Sequence, residues 1–290
     1  MESTKFQSSS GPDYSSAGYD DESRRPLQGG DSCSLARKWE LGLVFEGSQP
    51  GGRDSFGNLL RGAIGEFVGM IMFLFYSVTV VRFIQDRDQA GEVSSSTLNI
   101  ALVFGLSIFA LVYLLADASG ANLNPAVSIG LVIGKRITVE RFCIYVVVQC
   151  VGATIGACLA DVFLDSSGGA YNALAPGVSS LDAVLGEILC TFLLVITVLA
   201  ATDGELGKNI GHTKPLLPLA IGLAIVIDHL VLIPVDGCSV NPARSFATAV
   251  TNGYWTHQWI FWVGPMIGGV LATVVFEASI RPEQPTDDGK

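Results

Sequence analysis

The sequence predicts an all-α membrane protein: six transmembrane helices plus two re-entrant half-helices, arranged as an inverted repeat. Three observations predict it. Of 290 residues, 49% are hydrophobic and only 15% charged, against about 25% charged in an ordinary soluble domain. Six segments meet the roughly 20 apolar residues needed to span a bilayer: 62–83, 97–116, 140–164, 182–201, 216–235 and 258–279. The tripeptide Asn-Pro-Ala occurs twice, at matching places in the two halves.

Residues 1–60 are a different material from the rest. They hold nine acids and six bases among Ser, Gly and Pro. Such a segment cannot bury enough apolar surface to fold alone, so a largely disordered tail is expected. The membrane-embedded body is 61–280, with repeats at about 61–165 and 181–280, and 281–290 forms a second tail. The alternating ten-residue strands of a membrane barrel are absent.

Six spans put both ends on one side, and basic residues choose the side. Lys135, Arg136 and Arg141 lie between the second and third spans, Lys208 and Lys214 between the fourth and fifth. The third-to-fourth connection, 165–181, has no Lys or Arg. Both termini are therefore expected to be cytoplasmic. The net charge of -10 argues against a nucleic-acid partner, because phosphate binding needs clustered cations. No cysteine pair has C-x-x-C spacing, so no metal site is expected.

The spans carry their own packing signals. Gly65/Gly69, Gly130/Gly134, Gly152/Gly156 and Gly264/Gly268 are small-residue pairs on one helix face, which let helices approach closely in lipid. The first span contains Gly65-Glu66-Phe67 and the fourth Gly186-Glu187-Ile188. From each glutamate to the following Asn-Pro-Ala the interval is 58 and 54 residues. Three spans per half is an odd number, so the second copy enters from the opposite side. Sites in such folds lie near the midplane where the copies meet.

The boxes themselves, Asn124-Pro125-Ala126 and Asn241-Pro242-Ala243, start helices. Asn is a strong N-cap, and Pro at the first helical position loses no hydrogen bond. Each is followed by about ten apolar residues, or about 15 Å of helix, half of a hydrocarbon core of about 30 Å. Two half-helices from opposite faces would meet tip to tip.

At these residues the sequence resembles the aquaporin family. The resemblance covers roughly 61–280. It rests on Ser119 through Val127 (SGANLNPAV), on Gly237 through Ser245 (GCSVNPARS) and on Trp259 through Pro265 (WIFWVGP). It implies an hourglass fold, a homotetramer with one pore per subunit, and passive flux of small neutral molecules without a cofactor. No nucleophile–base pair or ligand set suggests an enzyme.

In that frame the half-helix N-termini, positive ends of their dipoles, face the pore centre. The amides of Asn124 and Asn241 can donate to a passing water oxygen. The carbonyls of 120–123 and 237–240 would supply acceptors. Arg244 is a charge at a depth that is costly unless it lines an aqueous path. Phe104, His229 and Cys238, which lie 20, 12 and three residues before their boxes' Asn, match the family's filter positions beside Arg244. Ser245, Ala249, Phe261 and Trp262 match the water-selective pattern. Water is therefore the expected permeant. Glycerol or another small solute, hydrogen peroxide, and a junction protein of the same fold are the alternatives.

Glu66 and Glu187 are carboxylates inside spans and need partners. The family suggests that they hold the re-entrant loops, with Gln149 as a further candidate. Asn122 stands where many relatives have His. Asp228, beside His229, is an unusual carboxylate, expected at a protein interface rather than in the pore. The loop at 202–217 resembles that of plant plasma-membrane intrinsic proteins. His212 and Thr138 match gating positions there, and the plasma membrane is the implied location.

Overall fold

A computed structural model describes residues 55–89, 96–165, 169–203 and 216–281. Residues 1–54 of the expected tail and His212 lie outside the described residues, and 56–60, expected in the tail, belong to the first helix. Among the described residues eight helices follow in order: α1 (Phe56–Gln89), α2 (Ser96–Ser119), α3 (Pro125–Ile133), α4 (Val139–Leu164), α5 (Ser180–Thr202), α6 (Leu217–Asp236), α7 (Pro242–Asn252) and α8 (Ile260–Val275). The last continues as a wider π turn over Phe276–Ile280. Six are long and apolar enough to cross a membrane. The short ones, α3 and α7, are the two that follow Asn-Pro-Ala.

Local chemistry sets the ends. The Ser55 hydroxyl accepts from the Asn58 amide at 3.3 Å, starting α1. This helix runs 34 residues, further at both ends than the apolar stretch 62–83. Thr138 caps α4, and Ser179 with Asp182 forms a capping box on α5. In such a box, side chain and backbone satisfy each other's free donors. Gly237, at φ 83°, closes α6 in the left-handed conformation that costs glycine least.

The repeat is visible in the packing. Within the halves, α1 packs on α4 and α5 on α8, while α2 and α6 cross between them. Each half-helix packs on the third long helix of the other half, α3 on α8 and α7 on α4. Glycines make these crossings possible. A Cβ on Gly152 would lie 2.5 Å from the Phe67 carbonyl oxygen, and one on Gly268 2.5 Å from that of Ile188. Gly105 and Gly222 form a reciprocal pair, each facing the other's carbonyl at 2.5 and 2.6 Å. That pair has no i, i+4 partner in sequence and is not legible there. Outward faces remain apolar, as at Val162, Phe163 and Leu189, which suits contact with lipid.

Two charge clusters tie the helix ends. Arg82 of α1 pairs with Asp161 of α4. At the end of the bundle where α3 finishes, Asp203 accepts from Arg136 at 3.2 Å and from Arg281 at 3.1 Å. Glu277 faces the same two arginines at 3.5 and 2.9 Å. Arg136 also donates to the Leu199 carbonyl and the Thr202 hydroxyl. Burial pulls the Arg136 pKa down, opposed by Asp203 and Glu277, whereas the hydrogen bond to Glu277 raises that of Arg281.

Candidate functional site

The site begins with an unusual run of backbone before each half-helix. Gly120, Ala121 and Leu123 have φ of 89°, 48° and 49°; Gly237, Cys238 and Val240 have 83°, 57° and 45°. Left-handed conformations at non-glycine residues cost of order 1–3 kcal/mol each and need support. Two glutamates provide it. Glu66 accepts from the amides of Asn122 at 2.9 Å and Leu123 at 2.6 Å. Glu187 accepts from those of Ser239 and Val240, both at 2.7 Å. Gln149 donates to Glu66 at 2.8 Å. The two carboxylates therefore gather the loop N–H groups on one side.

The half-helix tips are linked across the repeat. Asn124 Oδ1 accepts from the Ala126 amide at 2.8 Å, and Asn241 Oδ1 from that of Ala243 at 3.1 Å. With each oxygen committed to its own helix, the NH2 group must point away. Asn124 Nδ2 donates to the Val240 carbonyl at 2.7 Å, and Asn241 Nδ2 to that of Leu123 at 2.8 Å. An amide NH2 has two hydrogens, so each Asn keeps one donor beyond this crossed link. The sequence reading has the Asn amides donating to water and the carbonyls of 120–123 and 237–240 accepting from it; it does not foresee this link between the tips. Part of each is used to join the tips.

A cavity runs past these tips. Asn124 and Asn241 line it with Leu123, Val240 and Ser239; Phe73, Val112, Leu194 and Ile221 contribute apolar wall. His229 and Phe104 stand on its lining, as does Thr202 near the Arg136 cluster.

Phe104, His229 and Arg244 come together, all at most 3% exposed. The Phe104 and His229 rings stack with centroids 4.2 Å apart and form one continuous surface. The Arg244 guanidinium carbon lies 5.3 Å over the Phe104 ring. His229 Nδ1 is 2.9 Å from the Ile225 carbonyl. A carbonyl only accepts, so Nδ1 carries hydrogen, and in the neutral ring Nε2 is an acceptor. Cys238 is fully buried, its amide donating to Asp236 Oδ1 at 3.0 Å, and neither it nor Arg244 is among the residues that line the cavity.

Asn172 is the residue that sequence reasoning missed. It lies in the connection after α4, which was notable only for lacking bases. Arg244 Nη1 donates to its Oδ1. Ser245 Oγ donates to the same oxygen at 2.7 Å. Asn172 Nδ2 in turn donates to the Asp236 carbonyl at 3.2 Å. Arg244 Nη2 has a longer bond, 3.4 Å, to the Gly237 carbonyl.

Of the other candidates only Asn122 is on the cavity's lining. Ala249 is buried, and Phe261 packs in a small cluster with Ala183 and Ile260. The Trp262 ring meets Phe246 edge-on at 6.4 Å. Asn122 donates to Ser128 Oγ at 3.1 Å. The Thr138 hydroxyl accepts from the Arg141 amide at 3.1 Å, a capping role. Asp228 is fully buried with the Cys190 thiol of α5 as its hydrogen-bond neighbour. It faces another helix of the same chain.

The sequence model of the major intrinsic protein family matches residues 55–276. The chain belongs to this family. It is 40% identical over 234 residues to a protein named probable aquaporin PIP2-8 from Oryza sativa subsp. japonica, covering 77% of this chain and 83% of that one. It is also 40% identical over 229 residues to one named aquaporin PIP1-6 from Zea mays, covering 76% and 77%. Among solved structures, the aquaglyceroporin from Plasmodium falciparum superposes with a TM-score of 0.68 at 23% identity, over 77% of this chain and 97% of that one. At that identity the likeness speaks for the fold. As a major intrinsic protein, the chain is an integral membrane protein with six spans and a passive channel, not an enzyme.

Proposed function

We propose that the protein is a water-selective channel that excludes protons and ions. The observation that carries this is the pair of Asn amides at the joined tips. Their oxygens cap their own helices and each nitrogen keeps one hydrogen beyond the crossed link, so the two side chains offer donors to a permeant there. A water passing both accepts through its oxygen and turns its hydrogens toward neighbours on either side, which interrupts proton relay. The two helix N-termini and Arg244 add positive potential against cations.

Selectivity is assigned to Phe104, His229, Cys238 and Arg244. A neutral His229 offers an acceptor at Nε2, Arg244 offers donors, and the stacked Phe104 and His229 rings limit width. A carbon backbone finds little apolar wall there. Glu66 and Glu187 hold the loops that present the carbonyls. The assembly is a homotetramer in the plasma membrane with both termini cytoplasmic, as in the plant relatives the sequence resembles.

Stopped-flow light scattering of proteoliposomes tests this. A sucrose gradient should shrink them much faster than protein-free vesicles, and glycerol should enter at the protein-free rate. Rapid glycerol entry would overturn water selectivity.

A further inference from the structure

We propose that the paired rings of Tyr171 and Tyr254 clamp the strap that carries Asn172, and through it position Arg244. The pair thereby sets which solutes the channel rejects without touching the permeant.

The strap spans 169–175. Beyond Asn172 it is held by backbone: Ala173 and Ala175 donate to the carbonyls of Asp236 and Val235 at 3.1 and 2.9 Å. Before Asn172 the ties are different. The Ala170 amide donates to Gln85 Oε1 at 3.2 Å, and the Tyr171 ring lies 4.5 Å from that of Tyr254, tilted by 32°. Tyr254 follows α7, the helix that carries Arg244 in its first turn. The ring pair therefore bridges the two ends of a closed path: Arg244 to Asn172, Asn172 to Tyr171, Tyr171 to Tyr254, and Tyr254 back along α7. Tyr171 is 39% exposed, so its ring is not explained by core burial.

Arg244 depends on this path. Of its guanidinium groups, Nη1 is bonded to Asn172, Nη2 has only the long bond to Gly237, and Nε has no hydrogen-bond partner among the described residues. If the strap lifts, the cation loses its main anchor and can swing from its place over Phe104. The opening then widens on one side. Water still passes, but small polyols and urea are no longer turned away.

The inference rests on the reading of Arg244 as the filter cation. The test uses the full chain in proteoliposomes, with Tyr254→Ala, Tyr254→Leu, Tyr254→Phe and Asn172→Ala. Breaking an aromatic pair should shift the strap equilibrium by about three- to tenfold. Tyr254→Ala and Tyr254→Leu are therefore expected to keep near wild-type water flux while letting glycerol enter faster than in protein-free vesicles. Tyr254→Phe, which keeps the ring pair, should behave as wild type. Tyr254→Ala should add nothing to Asn172→Ala. Hydrogen exchange of the peptide over 169–176 gives a second readout independent of flux. Exchange should quicken in the Ala and Leu variants and stay slow in Phe. Wild-type selectivity with unchanged exchange in the Ala and Leu variants would overturn the clamp, as would a Phe variant that leaks like Ala. If wild type itself carries no water, the channel reading fails, and the clamp stands or falls on the exchange data.

Discussion

Replacing Glu187 by Gln changes one atom and should unseat the second half-helix. Both carboxylate oxygens accept backbone N–H groups at 2.7 Å, from Ser239 and Val240. Glutamine keeps the shape but offers one acceptor and one NH2 donor. One buried N–H then faces a donor, which costs about 1–3 kcal/mol, and the remaining bond loses its charge assistance, about 1 kcal/mol more. The sum is about 2–4 kcal/mol. It falls on a loop that already holds Cys238 and Val240 at positive φ. For a chain of this size each kcal/mol moves Tm by roughly 2–4 °C, so a drop of about 5–15 °C is expected. The assay is thermal unfolding of the purified protein in detergent, with water flux per molecule measured alongside. Flux should fall, because Val240 also anchors the Asn124 amide. A Tm within about 2 °C of wild type, with full flux, would refute the assignment of Glu187 as the loop's support.

Two further outcomes follow from the geometry and one from the sequence of the loop at 202–217. Gly152→Ala should destabilise by about 1–3 kcal/mol through overpacking, since its Cβ would meet the Phe67 carbonyl; Gly57→Ala, with nothing within 4 Å, should not, and Tm compares the two. Asp203→Asn should cost about 1–3 kcal/mol, because its carboxylate, 2% exposed, serves both Arg136 and Arg281; in a double-mutant cycle with Arg136→Ala the losses should not add. Acidification should reduce flux in wild type through protonation of His212, and His212→Ala vesicles should lose that acid response; an identical response in both would remove His212 from any gating role.

Features that need only local chemistry were legible in the sequence. Asn is a strong N-cap and Pro suits the first helical position, and two such boxes at matching places of a repeat made both half-helices legible. Glu66 and Glu187 could be read because a carboxylate in an apolar span must find donors. That they hold the re-entrant loops was implied by the family resemblance, but the exact donors, Asn122, Leu123, Ser239 and Val240, come from the structure. What could not be read depends on distant pieces of chain. Asn172 sits in a connection without periodicity, and only the fold brings it to Arg244. The left-handed Ala121, Leu123, Cys238 and Val240 carry no glycine to mark them. Asp228 was visible as an oddity, but its neighbour Cys190 is on another helix. The cluster of Arg136, Asp203, Glu277 and Arg281 joins three separated segments, each unremarkable alone.

The central claim is that water passes the joined tips while protons do not. The direct measurement is osmotic shrinkage and internal pH followed together in the same proteoliposomes. The account predicts shrinkage much faster than in protein-free vesicles, with proton entry at the protein-free rate. Shrinkage no faster than in protein-free vesicles, or proton entry that rises with the water flux, would contradict it.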